Sequence, residues 1–105
     1  IGVSCYNSAL NALKFAKLGA SYVALGCFFP SKTKPDAIKC SGIELQKLDG
    51  KLKIPIVAIG GITNLNAKPI IQYGADIVAV SSYIYESNNP YEKIKCLQSV
   101  VSEAK

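Results

Sequence analysis

The chain has 105 residues, a mass of 11.2 kDa, 50% hydrophobic and 18% charged residues, and a formal net charge of +5. That describes a single small domain and excludes intrinsic disorder, which needs low hydrophobicity and high charge. Polar residues interrupt every apolar run well short of the roughly 18–20 residues that a membrane-spanning helix takes.

In chain order the pattern alternates between strand and helix. Ile1 to Cys5 is a short apolar run, the end of a strand. No basic stretch precedes it, as a signal peptide would require. The sequence contains no methionine, and a chain that opens this way reads as a piece of something longer. Asn7 or Ser8 can cap a helix from Ala9 to Leu18, with Ala9, Leu10, Leu13 and Ala16 at helical spacing, and Gly19 ends it. Tyr22 to Gly26 is the next buried strand, and Phe28 to Ser41 is a long polar loop with two prolines. Gly42 to Leu52 reads as a helix and Ile54 to Ile59 as a third strand, closed by Gly60-Gly61. Thr63 or Asn64 caps a helix to about Tyr73, stopped by Gly74. Ile77 to Val80 is a fourth strand, followed by Ser81-Ser82 and a short helical turn. Asn89-Pro90 opens a last helix to about Ala104, where the missing proline N–H costs nothing in the first turn.

The order is therefore βα repeated four times. The strands are almost wholly apolar, which predicts a sheet covered on both faces. Leu18 to Leu25 echoes Tyr73 to Val80 position by position, each a helix end, a glycine and a strand. Such alternation implies a parallel sheet with right-handed crossovers. Two architectures fit: an open doubly wound sheet, or four units of a (β/α)8 barrel, which takes roughly 250 residues in full. No G-x-G-x-x-G follows the first strand, which weakens a dinucleotide-binding reading.

All twelve basic residues are lysines, scattered from Lys14 to Lys105, with no arginine and no histidine. Scattered lysines read as solvated surface, not as a nucleic-acid face. Cys5, Cys27, Cys40 and Cys96 show no C-x-x-C spacing. Without histidine, a Cys/His metal site and a Cys–His nucleophile are both excluded. Cys5 and Cys27 follow apolar runs and read as small core or loop-base residues, which suits a reducing cytoplasm.

In parallel βα folds the chemistry sits at the carboxyl ends of the strands. The first such end carries Ser4, Cys5, Tyr6 and Asn7, and the second opens the Phe28 to Asp36 stretch. Gly60-Gly61 follows the third strand and Ser81-Ser82 the fourth. Paired glycines let backbone N–H groups approach a ligand, and a helix start behind them favours an anion. The two loops together, in this order, point to a phosphate site of the kind built after the last two strands of a barrel. Ser31-Lys32-Thr33-Lys34 alternates hydroxyls and ammonium groups, so an extended loop presents Ser31 and Thr33 on one face and Lys32 and Lys34 on the other. The carboxylates are spread out, and Asp76 stands at the amino end of its strand, where a structural role is expected.

Gly2-Val3-Ser4, the Gly26 to Asp36 stretch with Phe-Phe-Pro-Ser-Lys-Thr-Lys, Ile56 to Ile62 and Val78 to Ser82 together resemble thiamine-phosphate synthase. Their order and spacing resemble its carboxyl-terminal half. The resemblance implies a (β/α)8 TIM barrel of which residues 1–105 are the last four βα units, half of one domain. It implies a cytoplasmic transferase that joins hydroxymethylpyrimidine diphosphate to a thiazole phosphate; from the scattered lysines and short apolar runs, no nucleic-acid or membrane partner is expected. Ser4 then contacts the pyrimidine diphosphate. Ser31, Lys32 and Thr33 contact the thiazole phosphate, cradled also by Gly61, Ser81 and Ser82. Lys34 sits on the diphosphate and carries the catalytic share of this half by stabilising the leaving group. The family's Mg2+ is held by aspartates of the amino-terminal half, so no metal ligand is expected in this chain. The isolated piece is expected to be inactive or nearly so, and its open sheet edges to invite self-association. Two rivals remain. In the related thiazole tautomerase a histidine follows the first-loop serine, where this chain has Tyr6. A non-catalytic half-barrel would bind phosphate and turn nothing over.

Overall fold

A computed structural model describes residues 1–29 and 40–105. The elements run β1 (Gly2–Ser4), α1 (Ala9–Lys17), β2 (Tyr22–Leu25), α2 (Gly42–Gln46), β3 (Ile56–Ile59), α3 (Ala67–Tyr73), β4 (Ile77–Ala79), α4 (Ser82–Tyr85) and α5 (Pro90–Ala104). The four strands form one parallel sheet in sequence order. The alternation of β and α thus yields the parallel sheet expected from it.

Local chemistry sets most boundaries. The Ser8 hydroxyl accepts the Asn11 amide at 3.1 Å and starts α1. Asn89 does the same for α5, accepting the Glu92 amide at 3.2 Å, with Pro90 in the first turn. Three boundaries differ from the sequence reading by more than one residue. The helix expected from Gly42 to Leu52 ends at Gln46 and continues as turns, and Gly50, with a φ of 71°, bars helix from running on to Leu52. The third strand starts at Ile56, after Pro55, which has no N–H to give a ladder. The third helix starts at Ala67 with Asn66 at its cap, not at Thr63 or Asn64. Pro69 is tolerated there, since first-turn amides lack an intrahelical partner.

Register fixes two faces. Val3, Val23 and Ile56 share one row, and Leu25, Ala58 and Val78 the next. These face the helices and meet Ala9, Ala12, Leu45, Leu48, Ala67, Ile70, Ile71 and Leu97 in one core. Complete burial of a leucine such as Leu25, Leu45 or Leu48 contributes about 1.5–3 kcal/mol. The alternate residues form the other face: Ser4, Ala24, Val57 and Ile77 in one row, Ile59 and Ala79 in another. No helix among the described residues covers it. Tyr22, Ile59 and Ile77 remain 44%, 48% and 47% exposed. The sequence reading expected cover on both faces; the described residues cover these apolar strands on one.

Candidate functional site

Because every strand runs the same way, all four carboxyl ends lie along one edge of the sheet. Ser4 ends β1 at one side of that edge, and Ser81-Ser82 follow β4 at the other. Three strand spacings, roughly 14 Å, separate the two sides. Gly60-Gly61 leave β3, the immediate neighbour of β4. The sequence-predicted Gly61, Ser81 and Ser82 are thus on adjoining loops, while Ser4 stands apart from them.

The Gly60-Gly61 turn is fitted against the loop that leaves β2. The Phe28 amide donates to the Ile59 carbonyl at 3.3 Å, and the Phe29 amide to the Gly60 carbonyl at 3.1 Å. Gly60 and Gly61 have φ of 105° and 66°. A Cβ on Gly61 would stand 2.7 Å from the Phe29 carbonyl oxygen, and one on Gly60 2.7 Å from Cys27 Cα. Backbone angle and close approach both demand glycine here. The Cys40 amide donates to the Cys27 carbonyl at 2.6 Å, so the chain returns to the place it left. Ser31, Lys32, Thr33 and Lys34 lie outside the described residues, between these two anchors.

One residue that sequence reasoning missed organises the glycine turn. Asn66 Oδ1 accepts the Thr63 amide at 2.8 Å, and Asn66 Nδ2 donates to the Gly61 carbonyl at 3.0 Å. The Leu65 amide donates to Thr63 Oγ1 at 3.1 Å. The only sequence signal was an asparagine three residues after Thr63, a spacing common to many helix starts. Beyond β4, the Ser81 carbonyl accepts the Ile84 and Tyr85 amides, both at 3.0 Å, which winds α4. The Ser81 side chain makes no capping bond. Neither serine hydroxyl bonds another described residue.

The first loop is tied to β2 in the same manner. The Cys5 amide donates to the Ala24 carbonyl at 2.8 Å and the Gly26 amide to the Tyr6 carbonyl at 2.9 Å. Tyr6 takes a φ of 51°, a region that side chains other than glycine seldom enter, and its ring is exposed. Glu44 accepts the Ala9 amide at 3.3 Å and pairs with Lys47 at 3.4 Å, joining α2 to the start of α1.

This edge offers amides and hydroxyls, the equipment for binding anions. Among the described residues it offers little for proton transfer or covalent attack. Burial pushes the Cys5 thiol up. Burial, with the nearby Glu44 carboxylate, pushes Cys40 up to about 11 against the Ser41 backbone hydrogen bond. Both are therefore protonated thiols near neutrality, as core residues should be. No group of three metal-binding side chains occurs among the described residues. No helix of the described residues is long and apolar enough to cross a membrane.

Comparison with known proteins places this geometry. The family model described as thiamine monophosphate synthase matches residues 1–84. A thiamine-phosphate synthase of Xylella fastidiosa is 46% identical over 99 residues, 94% of this chain and 42% of that protein. One from Methylobacillus flagellatus is 56% identical over 80 residues, 76% of this chain and 38% of that protein. The solved thiamine phosphate pyrophosphorylase of Pyrococcus furiosus superposes with a TM-score of 0.86 at 35% identity, covering 99% of this chain and 49% of that one. The chain spans less than half the length of these curated relatives.

Proposed function

The chain belongs to the thiamine monophosphate synthase family, and on that premise we propose that the whole protein makes thiamine phosphate. It couples hydroxymethylpyrimidine diphosphate to a thiazole phosphate. The carbon–oxygen bond to diphosphate breaks, its electrons leave with the diphosphate, and the thiazole nitrogen forms the new carbon–nitrogen bond. The observation that carries this reading is the seam between the β2 and β3 loops. There Phe28 and Phe29 donate to Ile59 and Gly60, so the stretch holding Ser31, Lys32, Thr33 and Lys34 starts directly beside Gly61.

In this reading Gly61, Ser81 and Ser82 hold the thiazole phosphate, together with Ser31, Lys32 and Thr33. Ser4, roughly 14 Å along the edge, meets the pyrimidine diphosphate. That spacing suits two substrates that arrive with separate phosphate groups. Lys34 stabilises the departing diphosphate, where a cation counts most because the charge develops in the transition state. Magnesium belongs to this activity too, with ligands from the half of the protein outside this chain.

We assign these residues to the last four units of an eight-unit (β/α)8 barrel in a cytoplasmic enzyme. The bare sheet face supports this: a doubly wound sheet carries helices on both faces, whereas a barrel turns one face inward. Gly2, Ser4, Ile77 and Ala79 direct their backbone groups to the open sheet edges. This follows because Cys5 and Asp76, each an odd number of residues away, donate inward to Ala24 and Ile56. Those edges take the other four strands. The test is a turnover assay on the intact protein with both substrates. Stoichiometric release of diphosphate with thiamine phosphate supports the reading. Binding of substrates without release replaces it with a phosphate-binding half-barrel.

A further inference from the structure

Asn66 has a geometry beyond that of a helix cap. Its side chain makes no capping bond to α3. Both of its polar atoms point back across the turn instead, to Gly61 O at 3.0 Å and Thr63 N at 2.8 Å. The two bonds act on successive peptide planes. A trans peptide points its carbonyl and the following N–H in opposite directions. Holding the Gly61 carbonyl toward Asn66 therefore holds the Ile62 N–H away from it. Holding the Thr63 N–H toward Asn66 likewise turns the Ile62 carbonyl aside. Ile62 is only 2% exposed and no described residue accepts from its amide, so this donor is turned away from Asn66 without a partner among the described residues. The turn needs such a lock, because paired glycines enter many conformations that other residues cannot.

We propose that Asn66 is the positioning residue of the phosphate-binding turn. It sets the Gly61–Ile62 peptide plane so that the Ile62 amide meets a phosphate monoester, the anionic group of the thiazole substrate. This rests on the function proposed above, and it concerns a residue that touches no substrate itself.

The test uses the intact protein and the variant Asn66→Ser. Serine is a good helix-capping residue, so the start of α3 is preserved, but its single hydroxyl cannot span Gly61 and Thr63. Inorganic phosphate binding is measured by calorimetry, alongside steady-state kinetics with both substrates. The expected result is phosphate affinity and thiazole phosphate KM each worse by about tenfold, with kcat and the other KM within about twofold, as for loss of one charge-assisted hydrogen bond. Asn89→Ala, which removes the cap of α5, lowers the melting temperature and moves neither KM. Wild-type phosphate affinity in Asn66→Ser overturns the proposal, as does an equal rise in both KM values. If the wild-type protein releases no diphosphate while Asn66→Ser still weakens phosphate binding, Asn66 keeps its role and the synthase reading falls. Failure of the wild-type protein to bind phosphate overturns both.

Discussion

Asp76 and Ile56 hold each other in both directions. The Ile56 amide donates to the Asp76 carboxylate at 2.9 Å, and the Asp76 amide donates to the Ile56 carbonyl at 2.9 Å. The pair fastens β4 to β3 at their amino ends, the far side of the sheet from the glycine turn. Asp76→Ala should lower stability by about 1.5–3 kcal/mol, the worth of a hydrogen bond to a charged group. Urea unfolding measures that loss. Substrate KM values in the intact protein should stay unchanged, and a shift in them would place Asp76 in the site.

Gly61→Ala should disturb both the fold and the site. The new Cβ would meet the Phe29 carbonyl at 2.7 Å on a backbone with φ of 66°. Strain and displacement together should cost about 1–3 kcal/mol of stability. The thiazole phosphate KM should rise before the fold is lost. Ala at this position with unaltered KM would remove Gly61 from the cradle.

Cys40 makes stability fall in alkali. Its thiol ionises near 9.0 when unfolded and is pushed up to about 11 in the fold, by burial first and by Glu44 second. Between those values the unfolded chain has released a proton that the folded one retains, so the folded state loses ground as pH rises. The contribution is intact below about pH 9 and gone above about pH 11, with a slope of at most about 1.4 kcal/mol per pH unit. Urea midpoints measured from pH 8 to 11 should decline, and Cys40→Ala should flatten the decline. An unchanged slope in that variant assigns the pH effect to other groups.

The isolated 105-residue chain should associate and should not turn over. Tyr22, Ile59 and Ile77 leave an apolar sheet face open, and both edge strands have unpaired backbone groups. Sedimentation should detect species above 11.2 kDa, and Ile59→Lys should reduce them. A monomer at all concentrations, or measurable diphosphate release, contradicts this expectation.

The strands were legible because each is a short apolar run bounded by Gly, Ser or Pro, and that signal survives without an alignment. Asp76 was legible for the same reason: its place before Ile77 put it at the amino end. The second helix was overextended because Leu48 and Leu52 continue the apolar spacing of Leu45, and burial of Leu48 is met equally well from a turn. Asn66 was illegible for a different reason. Whether an asparagine caps the helix ahead or grips the turn behind depends on side-chain torsions that one sequence does not encode. The exposed sheet face was misread because a barrel interior and a doubly covered sheet select the same apolar residues.

The tie between Cys40 and Cys27, with the seam from Phe29 to Gly60, means that the intervening ten residues begin and end at a sewn margin. The scaffold is thereby closed on both sides of that span by backbone bonds of its own. Insertions between Phe29 and Cys40 would leave the pairing of the sheet beneath them unbroken.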